Sequence, residues 1–192
     1  MKRKTLKVII FCAFLFCGMS VSPQTPIYLD KSQPIEQRIE DALSRMTLQE
    51  KINIIHAQSK FSAPGVPRLG IPELWCTDGP MGVRPEVMWD EWDQAAWTND
   101  SCMAFPALSC LAATWNPRMA SLYGKSIGEE ARFRNKSVLL GPGINVYRTP
   151  LCGRNFEYMG EDPYLISHMV VPYVQGVQSN GVSACVKHFA LN

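Results

Sequence analysis

The sequence predicts an α/β fold, the N-terminal part of a TIM-like (β/α)₈ barrel, and three observations carry that expectation. Short apolar runs, each followed by a turn-rich loop and then a stretch of helical period, recur along the chain. The order strand, loop, helix, strand builds parallel βαβ units. About four strand candidates are present, and the last is reached with no helix after it. A complete barrel takes roughly 250 residues, so the expectation is an incomplete barrel in a chain of 192 residues.

The N-terminus differs in character. Lys2, Arg3, Lys4 and Lys7 form a basic cluster, Val8 to Cys17 is apolar, and Gly18-Met19-Ser20 offers small residues for cleavage. That pattern is a secretory signal over residues 1–20, too short to span a bilayer. A lipoprotein signal acylated at Cys12 or Cys17 would need a small residue where Phe11 and Phe16 stand. Residues 21–33 are an irregular leader, and residues 34–192 form the partial barrel domain. The hydrophobic share of 46% is ample for one core.

Four of the 19 basic residues leave with the signal and none of the 17 acidic ones, so the remainder carries −2. The basic excess belongs to the export signal, and no nucleic-acid or membrane partner follows from it. Cys76, Cys102, Cys110, Cys152 and Cys185 remain, an odd number without a CxxC or metal spacing. Cys102 and Cys110 could pair in an oxidising compartment, but small buried thiols are the expected state. With only His56, His168 and His188 in the chain, no metal site is expected.

Pro34 to Met46 places Ile35, Ile39, Ala42, Leu43 and Met46 at helical spacing. Thr47-x-x-Glu50 is a capping box that opens a second helix. After a Pro/Gly-rich stretch, Leu74–Thr77 is a buried strand that stops at Asp78-Gly79-Pro80. Trp89, Trp92 and Trp97 alternate with acidic residues in an ordered loop that could rim a carbohydrate site or fill local core. Leu108 to Trp115 is apolar, and Asn116-Pro117 starts a helix expected to bury Met119, Leu122, Tyr123 and Ile127.

Val138–Leu140 is a strand, Ile144–Tyr147 a second β-prone run, and a long charged loop follows to Asp162-Pro163, another helix start. Loops of this length in α/β units are usually functional. The next helix carries Leu165, Met169, Val170 and Val174, is expected to kink at Pro172 and stops at Asn180-Gly181. Val182 to Leu191 is a final β-rich run. His56 and His168 fall on helices as surface or packing residues.

Four residues could carry recognition. Asp78 at a strand end can accept two sugar hydroxyl hydrogen bonds or simply cap a turn. Arg154 can donate a fork to hydroxyls or hold Glu157 in a loop salt bridge, and the two roles are compatible. Lys187 and His188 are adjacent, and neighbours on a strand point to opposite faces, so both reach one ligand only where the strand curves or ends. A buried Lys there needs a carboxylate or polar ligand.

The set TDGPMGVR (Thr77–Arg84), AFPALSCLAATWNP (Ala104–Pro117), GEEAR (Gly128–Arg132), LLGPGINVYRTPLCGRNFEYMGEDPYL (Leu139–Leu165) and KHFALN (Lys187–Asn192) resembles glycoside hydrolase family 3. It is most similar to the exported bacterial β-glucosidases, in consistent order from about Pro34 to Asn192. The resemblance implies a TIM-like barrel in which Asp78, Arg154, Lys187 and His188 grip the hydroxyls of the sugar in the −1 subsite. It implies hydrolysis of terminal β-D-glucosyl residues with retention, by an Asp nucleophile and a second carboxylic acid/base, without cofactor or metal. The implied partners are a β-linked oligosaccharide or glycoside and the missing C-terminal part of the same polypeptide, and the implied location is periplasmic or extracellular.

The family nucleophile belongs to a Ser-Asp-Trp-type motif downstream of KHF, so no catalytic residue is expected in this chain, and Asp78, Glu157 and Asp162 do not fill the vacancy. The N-acetylhexosaminidase branch continues KHF as Pro-Gly-His-Gly, where Ala190-Leu191-Asn192 stands here. That favours the glucosidase/xylosidase branch. The alternatives are a β-xylosidase or α-L-arabinofuranosidase of the same family, or a non-catalytic carbohydrate-binding short product.

Overall fold

The computed structural model describes residues 25–84, 101–190 and 192. The expected export signal at 1–20 and the expected loop of Trp89, Trp92 and Trp97 lie outside the described residues. The described residues divide into two compact units at Thr47–Leu48.

In the first unit the leader is more ordered than expected, with a 3₁₀ turn at Ile27–Leu29. Asp30 closes the next turn by accepting from the Ser32 backbone N–H and hydroxyl. Helix α1 (Ile35–Arg45) follows the apolar spacing, with Glu36 in its first turn and Arg45 in its last, each matching the helix dipole. Asp41 ties it to the turn by accepting from Tyr28 N at 3.0 Å. Arg38 Nε donates to Tyr28 O at 3.1 Å. No residue of α1 is buried, so its Ile35, Ile39 and Leu43 stripe is present but uncovered.

The second unit begins with α2 (Leu48–Ile54), where the capping box placed a helix start. His56 lies just beyond its end, exposed, and is not helical as expected. A mixed sheet follows in the order β1-β2-β3-β4: β1 (Ser62–Ala63), β2 (Leu74–Asp78), β3 (Val138–Leu140) and β4 (Ser183–Ala184). β1 is antiparallel to β2, whereas β2, β3 and β4 are parallel, with Thr77 opposite Leu139 and Leu139 opposite Ala184. The parallel core is the expected α/β class and a segment of the TIM-like barrel.

Two expected strands shrink. Ile144–Tyr147 contributes only the isolated bridge Val146–Gly160, and Val182–Leu191 forms a ladder only at Ser183–Ala184 before a bridge from Lys187 to Gly143. Leu108–Ala112 is a short helix, α3, with Leu108, Leu111 and Ala112 buried.

Helices α4 (Pro117–Phe133) and α5 (Pro163–Gln178) start at the two expected caps. Asn116 accepts from Arg118 N and Asp162 from Tyr164 N. Both helices pack into one core with Leu139, and Tyr123, Ile127, Met169, Tyr173 and Val177 fill it. The expected faces are partly rotated. Tyr123 and Ile127 are buried as expected, whereas Met119 and Leu122 are exposed, and α4 also buries Ala120, Gly124, Gly128 and Ala131.

Backbone proximity explains the rotation. A Cβ on Gly124 would stand 2.0 Å from the Tyr173 carbonyl oxygen, and one on Gly176 would stand 2.4 Å from that of Ser121. The helices approach across their smallest residues, which turns the larger ones outward. On α5, Ile166, Met169, Tyr173 and Val177 face inward, while Val170 and Val174 are half-buried. The helix runs through Pro172 to Gln178. Among the five described cysteines, Cys76, Cys102 and Cys152 are half-buried and Cys110 and Cys185 exposed, so none is buried as expected.

Candidate functional site

Parallel strands present their loops at one end, and ligand sites of α/β folds gather there. Asp78 is the last residue of β2, and the long loop after β3 carries Arg154 and Glu157. Lys187 and His188 follow β4, past the regular ladder, so the alternation of faces no longer separates them. Lys187 is still anchored by two backbone bonds: its N–H donates to Pro142 O at 3.1 Å and its carbonyl accepts from Ile144 N at 2.9 Å. Asn145 clamps the next residue, accepting from His188 N at 2.6 Å and donating to His188 O at 3.1 Å.

All four sequence-selected residues meet. Lys187 Nζ donates to Asp78 Oδ1 at 3.0 Å and lies 3.6 Å from Glu157 Oε2. Arg154 grips Glu157 with a fork, Nε to Oε1 at 2.6 Å and Nη2 to Oε2 at 2.9 Å. Its Nη2 is also 2.7 Å from His188 Nε2. Asp78 keeps the turn role as well, accepting from Gly79 N at 3.0 Å.

Glu157 is the centre of this cluster, and sequence reasoning gave it only the Arg154 salt bridge. Its side chain is 11% exposed against 42% for Asp78. Burial pushes its carboxyl up, but the Arg154 hydrogen bond and the Lys187 charge outweigh that and hold it below the ordinary value. Asp78 balances the same way, with burial opposed by the Lys187 hydrogen bond and charge, Gly79 N–H and Arg84. Both carboxylates are therefore ionised acceptors. His188 is held below the ordinary imidazole value by burial and by the Arg154 and Lys187 charges, which outweigh Glu157 and Asp78.

The core supports the rim from behind. The Asp78 loop turns through Gly79 at φ 134°, where a Cβ would stand 1.8 Å from Gly82 O. Tyr123 and Tyr173, from α4 and α5, direct their hydroxyls at the Pro80 carbonyl at 3.0 and 3.3 Å. A cavity of about 260 Å³ opens between that loop and the β3 loop, lined by Asp78, Arg84, Arg154, Phe156, Glu157 and Lys187. A second cavity of about 280 Å³ adjoins it at Lys187 and His188.

Arg84, 3.9 Å from Asp78 Oδ2, was missed although it lies in the same glycine loop. Tyr158 and Asn145 were missed too, and nothing in their local pattern marks them. Among the described residues no His, Cys, Asp and Glu cluster suits a metal ion, and no helix is long and apolar enough to cross a membrane.

Residues 49–192 match the family model described as the glycosyl hydrolase family 3 N-terminal domain. The chain is 70% identical over 169 residues to the β-glucosidase BoGH3A of Bacteroides ovatus, covering 88% of this chain and 23% of that protein. Among solved structures it is similar to β-glucosidase 3B from Thermotoga neapolitana in complex with glucose, with a TM-score of 0.69 and 38% identity over 80% of this chain and 23% of that one. It is also similar to the Kluyveromyces marxianus β-glucosidase in complex with glucose, with a TM-score of 0.71 and 35% identity over 80% and 18%. The chain thus spans less than a quarter of the length of these relatives.

Proposed function

The chain belongs to glycosyl hydrolase family 3 through its N-terminal domain, and from that premise we propose that the rim binds the terminal glucosyl residue of a β-glucoside. The observation that carries this is the convergence of Asp78, Arg154, Lys187 and His188 on one polar rim. Sugar hydroxyls both donate and accept, and the rim supplies both kinds of partner: ionised oxygens on Asp78, N–H donors on Arg154 and Lys187. The two relatives solved with glucose support a glucosyl ligand.

The rim binds and does not cleave. Retaining hydrolysis needs an acid that holds a proton near neutrality and a nucleophile opposite it. Asp78 and Glu157 both sit below their ordinary values and are engaged with cations, so neither is suited to donate that proton. Carboxylates other than these two supply the chemistry. No cofactor enters this scheme. Export to the periplasm or cell exterior is proposed from the basic and apolar pattern of residues 1–20.

The test is hydrolysis of nitrophenyl glycosides by the polypeptide that carries this chain, with Asp78→Asn beside it. Release from the β-D-glucoside, lost in the variant, is the expected result. Preference for the β-D-xyloside or α-L-arabinofuranoside would shift the specificity, and sugar binding without any hydrolysis would favour a binding product. Release undiminished by Asp78→Asn would overturn the site.

A further inference from the structure

We infer that Tyr158 is a positioning residue: its hydroxyl accepts the Nδ1–H of a neutral His188 whose Nε2 is taken by Arg154, and so holds the imidazole in place at the sugar rim. The inference rests on the sugar-site reading above and deepens it.

Two contacts on opposite ring nitrogens carry it. Arg154 Nη2 lies 2.7 Å from His188 Nε2. A guanidinium carries donors only and does not lose its proton in a protein, so at this distance Nε2 must accept. A neutral imidazole then has its one hydrogen on Nδ1, and Nδ1 lies 2.7 Å from the Tyr158 hydroxyl oxygen. That oxygen accepts it, and accepts from Asn192 Nδ2 as well. Tyr158 is fixed in turn: it is 1% exposed, and its ring meets the imidazole edge-on at 89°.

The surrounding charges agree. Arg154 and Lys187 face the imidazole as cations, and Glu157 and Asp78 as anions. An imidazolium would point its Nε2–H at the Arg154 donor. The neutral tautomer gives the Arg154 guanidinium a ring acceptor in place of a third cation, which keeps the imidazole beside the Arg154–Glu157 fork at the rim.

The test reads the ring nitrogens by long-range proton–nitrogen NMR on the full chain, labelled with ¹⁵N-histidine. The chain has three histidines, and His56→Gln and His168→Gln identify the signals of His188. A protonated-type Nδ1 and a bare Nε2 are expected at neutral pH. An Nε2–H pattern, or an average of both tautomers, would overturn the inference on the unaltered chain alone. Tyr158→Phe keeps the ring but removes the acceptor of the Nδ1–H, so that proton is expected to lose its hydrogen-bonded shift and glucose to bind about fivefold more weakly. An unchanged Nδ1–H resonance with unchanged glucose affinity in that variant would also overturn it. If the unaltered chain shows the expected tautomer yet binds no glucose, the sugar reading fails while the tautomer assignment stands.

Discussion

The α4–α5 helix pair and the strand-end rim are held by opposite physics. The pair is joined by shape: Gly124 and Gly176 let two backbones touch, and the side chains between them are apolar and closed to water. The rim is joined by charge: two carboxylates, two cations and an imidazole meet beside a cavity of about 260 Å³. The pair is filled by packed side chains, whereas the rim has ionised groups and a cavity beside them. The difference teaches that the molecule keeps stability and recognition in separate layers, linked by the Tyr123 and Tyr173 hydroxyls on Pro80.

The largest effect expected comes from breaking the shape layer. Gly124→Val pushes a branched side chain into the Tyr173 backbone, which has no rotamer to give. It should cost about 3 kcal/mol or more, read as a collapse of the urea midpoint.

Breaking the charge layer should leave the midpoint closer to its original value and act on binding. Glu157→Gln removes the acceptor that Arg154 and Lys187 share. Glucose affinity should fall about thirtyfold, seen by titration calorimetry on a chain whose circular dichroism is unchanged. Equal binding by the variant would mean that the cations need no buried anion to stay in place.

pH sharpens the contrast, because the rim holds three groups displaced from their ordinary values. Asp78, Glu157 and His188 all lie below their ordinary values in the folded chain. The unfolded chain therefore binds more protons, and stability rises with pH through each window. The contribution of His188 should be complete above about pH 6.5 and decline below it, and those of the carboxylates should decline below about pH 4. Urea melts across this range check the sign, and His188→Asn should remove the upper step alone.

The smallest effect lies outside both layers. Arg68 and Glu50 form an exposed pair at 2.7 Å, and Arg68→Ala should cost less than about 1 kcal/mol. A larger loss in thermal melts would show that this surface pair belongs to the cooperative core.

Much of the architecture was legible because it is local. Asn116-Pro117 and Asp162-Pro163 announce their helices through bonds two residues long. The Leu74–Asp78 and Val138–Leu140 strands follow from short apolar runs ending at glycine turns. The buried faces of α4 and α5 were legible only in part: Tyr123, Ile127 and Met169 lie inward as their period indicates, but that period also favours Met119 and Leu122 where close approach favours Gly124 and Ala120. Of the rim, the four recognition residues could be named from the resemblance, but Glu157 as its shared anion could not.

By itself the sequence determined the order of strand, loop and helix, the capped helix starts and the Arg154–Glu157 fork, which spans three residues. The tertiary structure alone decided that Lys187 meets Asp78 across 109 positions, and that Tyr158 and Arg154 bracket the ring of His188. The physical reason is range. Caps, turns and periodicity are bonds between near neighbours, whereas protonation and charge at the rim depend on which distant segments the parallel sheet brings to one end.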